Sequence, residues 1–210
     1  MSTLTCKNVA YAYGKGQGVL TNVSFCFESG KTYAILGPSG SGKTTLLSLL
    51  GGLDTPANGN ILFDGTDIMQ TGLEDHRRNH ISLIFQNYNL IDYMTPIENA
   101  KLASKVNVIP ILKRLGLTEN ELRRTILKLS GGQQQRVAIA RSLASDAPVI
   151  LADEPTGNLD ETTAAEITEI LKESAHEYGK CVIIVTHSNE VAKVADCVLE
   201  IKHGTLKVRK

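Results

Sequence analysis

The chain has no tryptophan, few aromatic residues of any kind (5%), and no surplus of either charge: 22 Lys and Arg stand against 22 Asp and Glu in 210 residues. The missing basic excess argues against a surface built to hold nucleic acid. No apolar run approaches the roughly 18–20 residues that a membrane-spanning helix needs. The start, Met1-Ser-Thr-Leu-Thr-Cys-Lys7, lacks the charged and apolar regions of a secretory leader, so a cytoplasmic location is expected. Cysteine is scarce too. Cys6, Cys26, Cys181 and Cys197 form no C-x-x-C pair, and reduced thiols packed among strands are expected rather than a metal site. Repeats, low-complexity tracts and linkers are all missing, and the length suits one α/β domain with a small insertion.

What is present falls into two kinds of apolar pattern. Leu4–Ala10, Asn22–Glu28 and Asn60–Phe63 read as antiparallel strands, the second with Val23, Phe25 and Phe27 alternating. Thr32–Leu36, Ile81–Phe85, Val149–Ala152 and Cys181–Val185 are short, unalternating and rich in β-branched residues, as parallel strands buried on both faces should be. Helical periodicity predicts an apolar face of Leu46, Leu49, Leu50 and Leu53 over Thr44–Leu53. A second, over Glu161–Tyr178, carries Ile167, Ile170, Leu171, Ala175 and Tyr178. The stretch 87–144 holds few strand signals and reads as a helical subdomain inserted into a core made of 1–86 and 145–210.

Each buried strand ends on a polar group suited to chemistry: Gly37 and its loop, Gln86, Asp153-Glu154, and Thr186-His187. In open parallel sheets ligands bind beyond the carboxyl ends of the strands, so these endings predict one shared site. Gly37, Pro38, Ser39, Gly40, Ser41, Gly42, Lys43 and Thr44 fit the phosphate-binding pattern G-x-x-x-x-G-K-[ST], with Thr45 following inside the helix. A chance match arises in roughly one sequence of this length in a hundred. Its glycines let backbone N–H groups face a phosphate, Lys43 adds a cation, and the Thr44 hydroxyl can ligate Mg²⁺. The predicted fold class is therefore α/β: a P-loop NTPase core with an antiparallel β subdomain and the helical insertion. Asp153 fits an outer Mg²⁺ ligand, and Glu154 the group that orients or deprotonates an attacking water. Gln86 can ligate Mg²⁺ and sense the γ-phosphate, and His187 can touch it. His76, His80, His176 and His203 lack such a context and are expected at the surface.

Downstream lies Leu129-Ser130-Gly131-Gly132-Gln133. Ser130 and Gln133 alone make a capping box, which any helix start can use. The glycines are harder to explain, because each costs about 0.8–1 kcal/mol in a helix interior. They make sense if an anion approaches the bare backbone closely. The phosphate in this chain's own loop already has a helix, so a second copy of the chain is the economical source of that anion.

These motifs, in this order, give the chain a resemblance to the ATP-binding subunits of ABC transporters over essentially its whole length. The carrying residues are the phosphate loop, Gln86, Leu129–Gln133 with Gln-Gln-Arg-Val-Ala-Ile-Ala-Arg141, Leu151-Ala-Asp-Glu-Pro155 and His187. The resemblance implies ATP and Mg²⁺ as cofactors and ATP hydrolysis as the activity. It further implies that Tyr13 stacks on adenine, with Tyr11 a close competitor, and that Asp160 communicates between subunits. Ser130, Gly131, Gly132 and Gln133 would then bind the partner's ATP. The implied partners are a second subunit, in an ATP-induced homodimer or pseudo-symmetric heterodimer, and a membrane permease; no nucleic acid is implied. The implied location is peripheral, on the inner face of the cell membrane.

Gly51-Gly-Leu-Asp-Thr-Pro56, Phe85-Gln-Asn-Tyr-Asn-Leu90 and Ala152-Asp-Glu-Pro-Thr-Gly-Asn-Leu-Asp160 look like the group serving lipoprotein release, macrolide export and antimicrobial-peptide resistance. The segment from Gln86 to the second motif is shorter than is usual there. Its apolar-aromatic cluster of Tyr88, Leu90, Ile91, Tyr93, Met94 and Ile97 suits reception of a permease helix, or else packs the subdomain. The alternative function is a soluble ABC ATPase acting on nucleic acid or the ribosome. Against it stand the single cassette and the absence of sustained heptads between Gln86 and Leu129.

Overall fold

The structure, a computed structural model, describes residues 1–14 and 18–209. In chain order it contains β1 (Thr3–Ala12), β2 (Gly18–Glu28), β3 (Thr32–Leu36), α1 (Lys43–Leu50), β4 (Asn58–Phe63), β5 (Thr66–Asp67), α2 (Ile68–Thr71), α3 (Leu73–Asn79) and β6 (Ile81–Ile84). Helices α4 (Pro96–Lys101), α5 (Ile109–Arg114), α6 (Glu119–Leu122) and α7 (Gly131–Ala144) follow. Then come β7 (Val149–Asp153), α8 (Glu161–His176), β8 (Cys181–Val185), α9 (Asn189–Val194), β9 (Cys197–Lys202) and β10 (Thr205–Val208).

Two sheets result. One is antiparallel with order β2-β1-β4-β5; the other, β10-β9-β3-β8-β7-β6, is parallel except for its final hairpin. Alternation along the central strands divides the core. Val149, Leu151, Ile183 and Val185 join the cluster shared with α1 and the antiparallel sheet. Ile150, Ala152, Val182 and Ile184 face the opposite cluster, beneath α7, α8 and the helical segment. With side chains pointing alternately to two buried faces, every position must be apolar, which is why these strands read as unbroken runs.

The α/β class is as expected, with local corrections. Helix α1 ends at Leu50, and the turn at Gly51-Gly52 leaves Leu53 exposed instead of on the apolar face. Helix α8 stops at His176, so Tyr178 is exposed as well. Cys6 and Cys181 are buried, with thiols pushed up to about 12 by desolvation; Cys26 points to solvent and Cys197 is half-buried. His76 is not a surface residue: it is fully buried, its Nε2 donating to Leu50 O at 3.0 Å and its Nδ1 3.3 Å from Nδ1 of His80. The His80 ring stacks on Phe63 at 3.9 Å. Among the described residues no helix is long and apolar enough to cross a membrane.

Candidate nucleotide site

The fully buried strand β3 delivers the chain to Gly37. A Cβ there would lie 2.6 Å from Ile201 O and 2.7 Å from Ser41 Oγ, so the loop can curl this tightly only with glycine. Gly42, at φ 101°, is the N-cap of α1 and supplies no side-chain acceptor. The first N–H groups of that helix are therefore left to whatever anion the loop encloses. Lys43 Nζ donates to Gly37 O at 2.8 Å and Pro38 O at 3.1 Å, so its charge sits inside the curl.

A cavity of about 630 Å³ opens over this loop. Its walls include Tyr13, Gly37, Pro38, Ser39, Gly40, Gly42, Lys43, Thr44 and Thr45 from the N-terminal part, and Gln86, Asp153, Glu154 and His187 from later strand ends. Four segments far apart in sequence thus meet at one sheet edge. Ser41 is the exception within the loop: its Oγ is buried beneath, away from the cavity wall and without a hydrogen-bond partner among the described residues.

Asp153 and Glu154 are adjacent yet differently placed. Asp153 ends β7 in a buried position, and desolvation raises its carboxyl above the usual aspartate range, opposed by a hydrogen bond from Thr44 and the charge of Lys43. Glu154 leaves the strand at φ 48°. Its Oε2 accepts from Thr186 Oγ1 at 3.1 Å, and its Oε1 bonds His187 Nδ1 at 2.9 Å. One acid faces the loop's hydroxyl and the other is held by the end of β8.

Thr44, Asp153 and Gln86 offer oxygen donors of the hard type that Mg²⁺ takes. Among the described residues there is no cluster of three or more His, Cys, Asp or Glu, so a dedicated metal cage is missing. Mg²⁺ is commonly held by one or two carboxylates together with substrate phosphates and water.

Of the two tyrosines, Tyr13 lines the cavity, its hydroxyl 3.1 Å from Thr45 Oγ1. Tyr11 does not; its hydroxyl donates to Asp54 Oδ2, and that bond pushes it up to about 12, so it stays protonated. Sequence reasoning missed Asp54, whose acidic side chain in a Gly-rich turn carries no signal of its own.

Ser130, Gly131, Gly132 and Gln133 do not reach the cavity. Ser130 caps α7, with Ser130 N donating to Gln133 Oε1 at 2.8 Å and Gln133 N to Ser130 Oγ at 3.3 Å. The capping box is thus real, and it leaves the glycines unexplained. A Cβ on Gly131 would come 3.1 Å from the Tyr88 hydroxyl, and one on Gly132 would come 3.4 Å from Leu159. Asp160 caps α8, accepting from Thr163 N at 3.0 Å and Thr163 Oγ1 at 2.8 Å, bonds that hold its carboxyl below the usual range.

The cluster Tyr88–Ile97 is split rather than gathered. Leu90 and Ile97 pack against the core beneath α7, whereas Tyr93 is exposed. The groove on this side lies elsewhere. It measures about 980 Å³, is lined by Phe85, Leu102 and Val106 with Arg77, Arg78, Lys101, Lys105 and Arg141, and excludes both Tyr93 and Met94. Arg141 also donates to Asn89 O at 2.7 Å and Tyr88 O at 3.1 Å, fastening the loop after Gln86 to α7.

The loop fits the phosphate-binding pattern, and the fold around it is that of the P-loop nucleoside triphosphatases. Comparison with known proteins narrows the class. The model of the ABC transporter family matches residues 20–157. The ABC transporter ATP-binding protein YclH of Bacillus subtilis (strain 168) is 43% identical, the match covering 100% of this chain and 97% of YclH. The dimeric structure of MJ0796, a cassette from Methanocaldococcus jannaschii, superposes with a TM-score of 0.89 at 37% identity, over 99% of this chain and 97% of that one. The macrolide export ATP-binding/permease protein MacB of Pasteurella multocida is 38% identical over 95% of this chain, which spans 33% of MacB. The chain belongs to the ABC transporter family, as an ATP-binding cassette with ATPase activity.

Proposed function

We propose that the chain powers a membrane transporter by hydrolysing ATP between two cassettes, from the cytoplasmic face and in contact with a permease. The observation that carries this is an asymmetry. Lys43, Gln86, Asp153, Glu154 and His187 surround one cavity, while Ser130–Gln133 lies outside it at the start of α7. MJ0796 has been solved as a dimer and in a post-hydrolysis state with ADP and Pi. A head-to-tail pair related by a two-fold axis places Ser130–Gln133 of each copy on the other's ATP and closes as a dimer.

In this reading the loop and Lys43 hold the β- and γ-phosphates and Tyr13 meets the base. Thr44, Asp153 and Gln86 would hold Mg²⁺, which supplies charge neutralisation on the transferring phosphoryl group. Glu154, held by Thr186 and His187, orients the attacking water and takes its proton, and His187 reaches the γ-phosphate. Asp160 stands at the interface between copies. The permease helix takes the basic groove lined by Phe85, Leu102 and Val106, and the loop fixed by Arg141 links that groove to Gln86. The likeness to MacB favours an export or extraction complex.

The test is the Glu154→Gln variant, which keeps the shape and removes the base. Turnover should fall by about 10²–10⁴, and size-exclusion chromatography should show a dimer with ATP and a monomer with ADP. A monomer with both nucleotides would sink the composite site.

A further inference from the structure

We propose that Tyr11 is a positioning residue that fixes the Tyr13 ring for the adenine base; this rests on reading Tyr13 as the base contact. Tyr11 is the penultimate residue of β1 and Tyr13 is the first residue beyond it. Their rings meet edge to face, with centroids 5.1 Å apart and planes at 86°. The pairing of β1 with β2 shifts register on both sides of the Tyr11↔Leu20 pair, an irregularity of the kind that re-aims side chains beside sites.

Each tyrosine is tied to a different end of the phosphate-loop helix. Tyr13 shares a hydrogen bond with Thr45 Oγ1 in the first turn of α1. Tyr11 donates to Asp54 in the turn that follows α1, and Asp54 Oδ1 accepts from Thr55 N at 2.8 Å, which fixes the carboxylate. Tyr13 is 63% exposed as a residue, and Tyr11 is half-buried against the core. An exposed ring samples several rotamers and loses that freedom when a ligand stacks on it. A neighbour that already holds the ring removes this ordering cost from binding. Tyr11, anchored at its own far end, is placed to do so.

The experiment compares Tyr11→Ala, Tyr11→Phe, Tyr13→Ala and the double variant Tyr11→Ala/Tyr13→Ala. It measures KM and kcat for ATP, and the affinity for ATP and for inorganic tripolyphosphate by displacement of a fluorescent nucleotide. Tyr11→Ala should raise KM for ATP about two- to tenfold, the range for an edge-to-face pair, with a smaller change in kcat. Tripolyphosphate has no base, so its affinity should not move. Tyr11→Phe keeps the ring contact while losing the Asp54 bond, and should fall between wild type and Tyr11→Ala. In the Tyr13→Ala background the Tyr11 effect should vanish.

If Tyr13→Ala weakens ATP binding but both Tyr11 variants bind ATP normally, the positioning role is overturned and the base contact stands. Equal weakening of tripolyphosphate and ATP by Tyr11→Ala overturns it as well, since that signals a disturbed phosphate loop. If Tyr13→Ala leaves ATP affinity unchanged, the base contact itself falls, and the role of Tyr11 with it. Should Tyr11→Ala not fold, Tyr11→Phe decides on the same comparison of ATP with tripolyphosphate.

Discussion

Glu154 Oε1 and His187 Nδ1 are 2.9 Å apart, although 33 residues separate them and each stands just beyond the end of a different strand. Where Glu154 is a carboxylate it can only accept, and Nδ1 of the histidine is then the donor. The bond holds the imidazole beside the acid while most of the ring stays open to solvent, with the His187 side chain 77% exposed. Its free edge is thereby available to the cavity.

Replacing His187 by Ala should therefore act on turnover rather than capture. The loop proposed to hold ATP is untouched, whereas Glu154 loses one of its two side-chain partners. The expected outcome is a fall in kcat of roughly 10²-fold or more, with ATP affinity within a few-fold of wild type. Single-turnover hydrolysis measured beside equilibrium ATP binding checks it. A proportional fall of both quantities would remove His187 from the chemistry.

Lys43→Ala should do the opposite. Its ammonium donates to two carbonyls of the loop, so the substitution removes the loop's cation together with a brace of the curl. Losing a charge-assisted hydrogen bond costs about 1.5–3 kcal/mol, or roughly 10- to 150-fold in affinity. Calorimetric titration with ATP reads this directly, and wild-type affinity in the variant would contradict the site.

His76 makes stability depend on pH. Desolvation lowers its pKa below that of an ordinary histidine, with His80 and Arg77 acting in the same sense and the Leu50 carbonyl and Asp75 opposing. The unfolded chain thus binds a proton that the folded chain refuses. Its contribution is fully present above about pH 6.5, and is lost as pH falls from there through the lower folded value. One such group gives a slope of at most about 1.4 kcal/mol per pH unit. Urea midpoints of wild type should drop between pH 7 and 5, and His76→Leu, though less stable at pH 7, should show a shallower dependence. Parallel curves for the two proteins would assign the effect to other groups.

How much of this was legible depended on burial. Strands such as Val149–Asp153 announce themselves because both faces are covered, and their polar end groups stand out against the run. The C-terminal hairpin of β9 and β10 was missed for the converse reason: Glu200, Lys202 and Lys207 interrupt strands that have one wetter face. His76 was misplaced because Asp75, Arg77 and Arg78 surround it in sequence, while only tertiary packing brings it under Leu50. The curl of the loop follows from its glycines, but the inward turn of Ser41 is encoded by no pattern of residue types.

Strand β3 carries the phosphate loop, yet both strands that flank it, β8 and β9, come from the end of the chain: Ala34 pairs with Ile184 on one side and with Val198 on the other. Thr32 is likewise pinned by Asp196, 164 residues downstream, through bonds of 2.7 Å from its N and Oγ1. A nascent chain therefore exposes a complete phosphate-binding sequence long before it can support one. Pairing across so long a separation carries the slow, non-local character of high contact order. The curl around Gly37 thus has its footing in residues far downstream, and opening β8 or β9 should release the loop together with Ile184 and Val198.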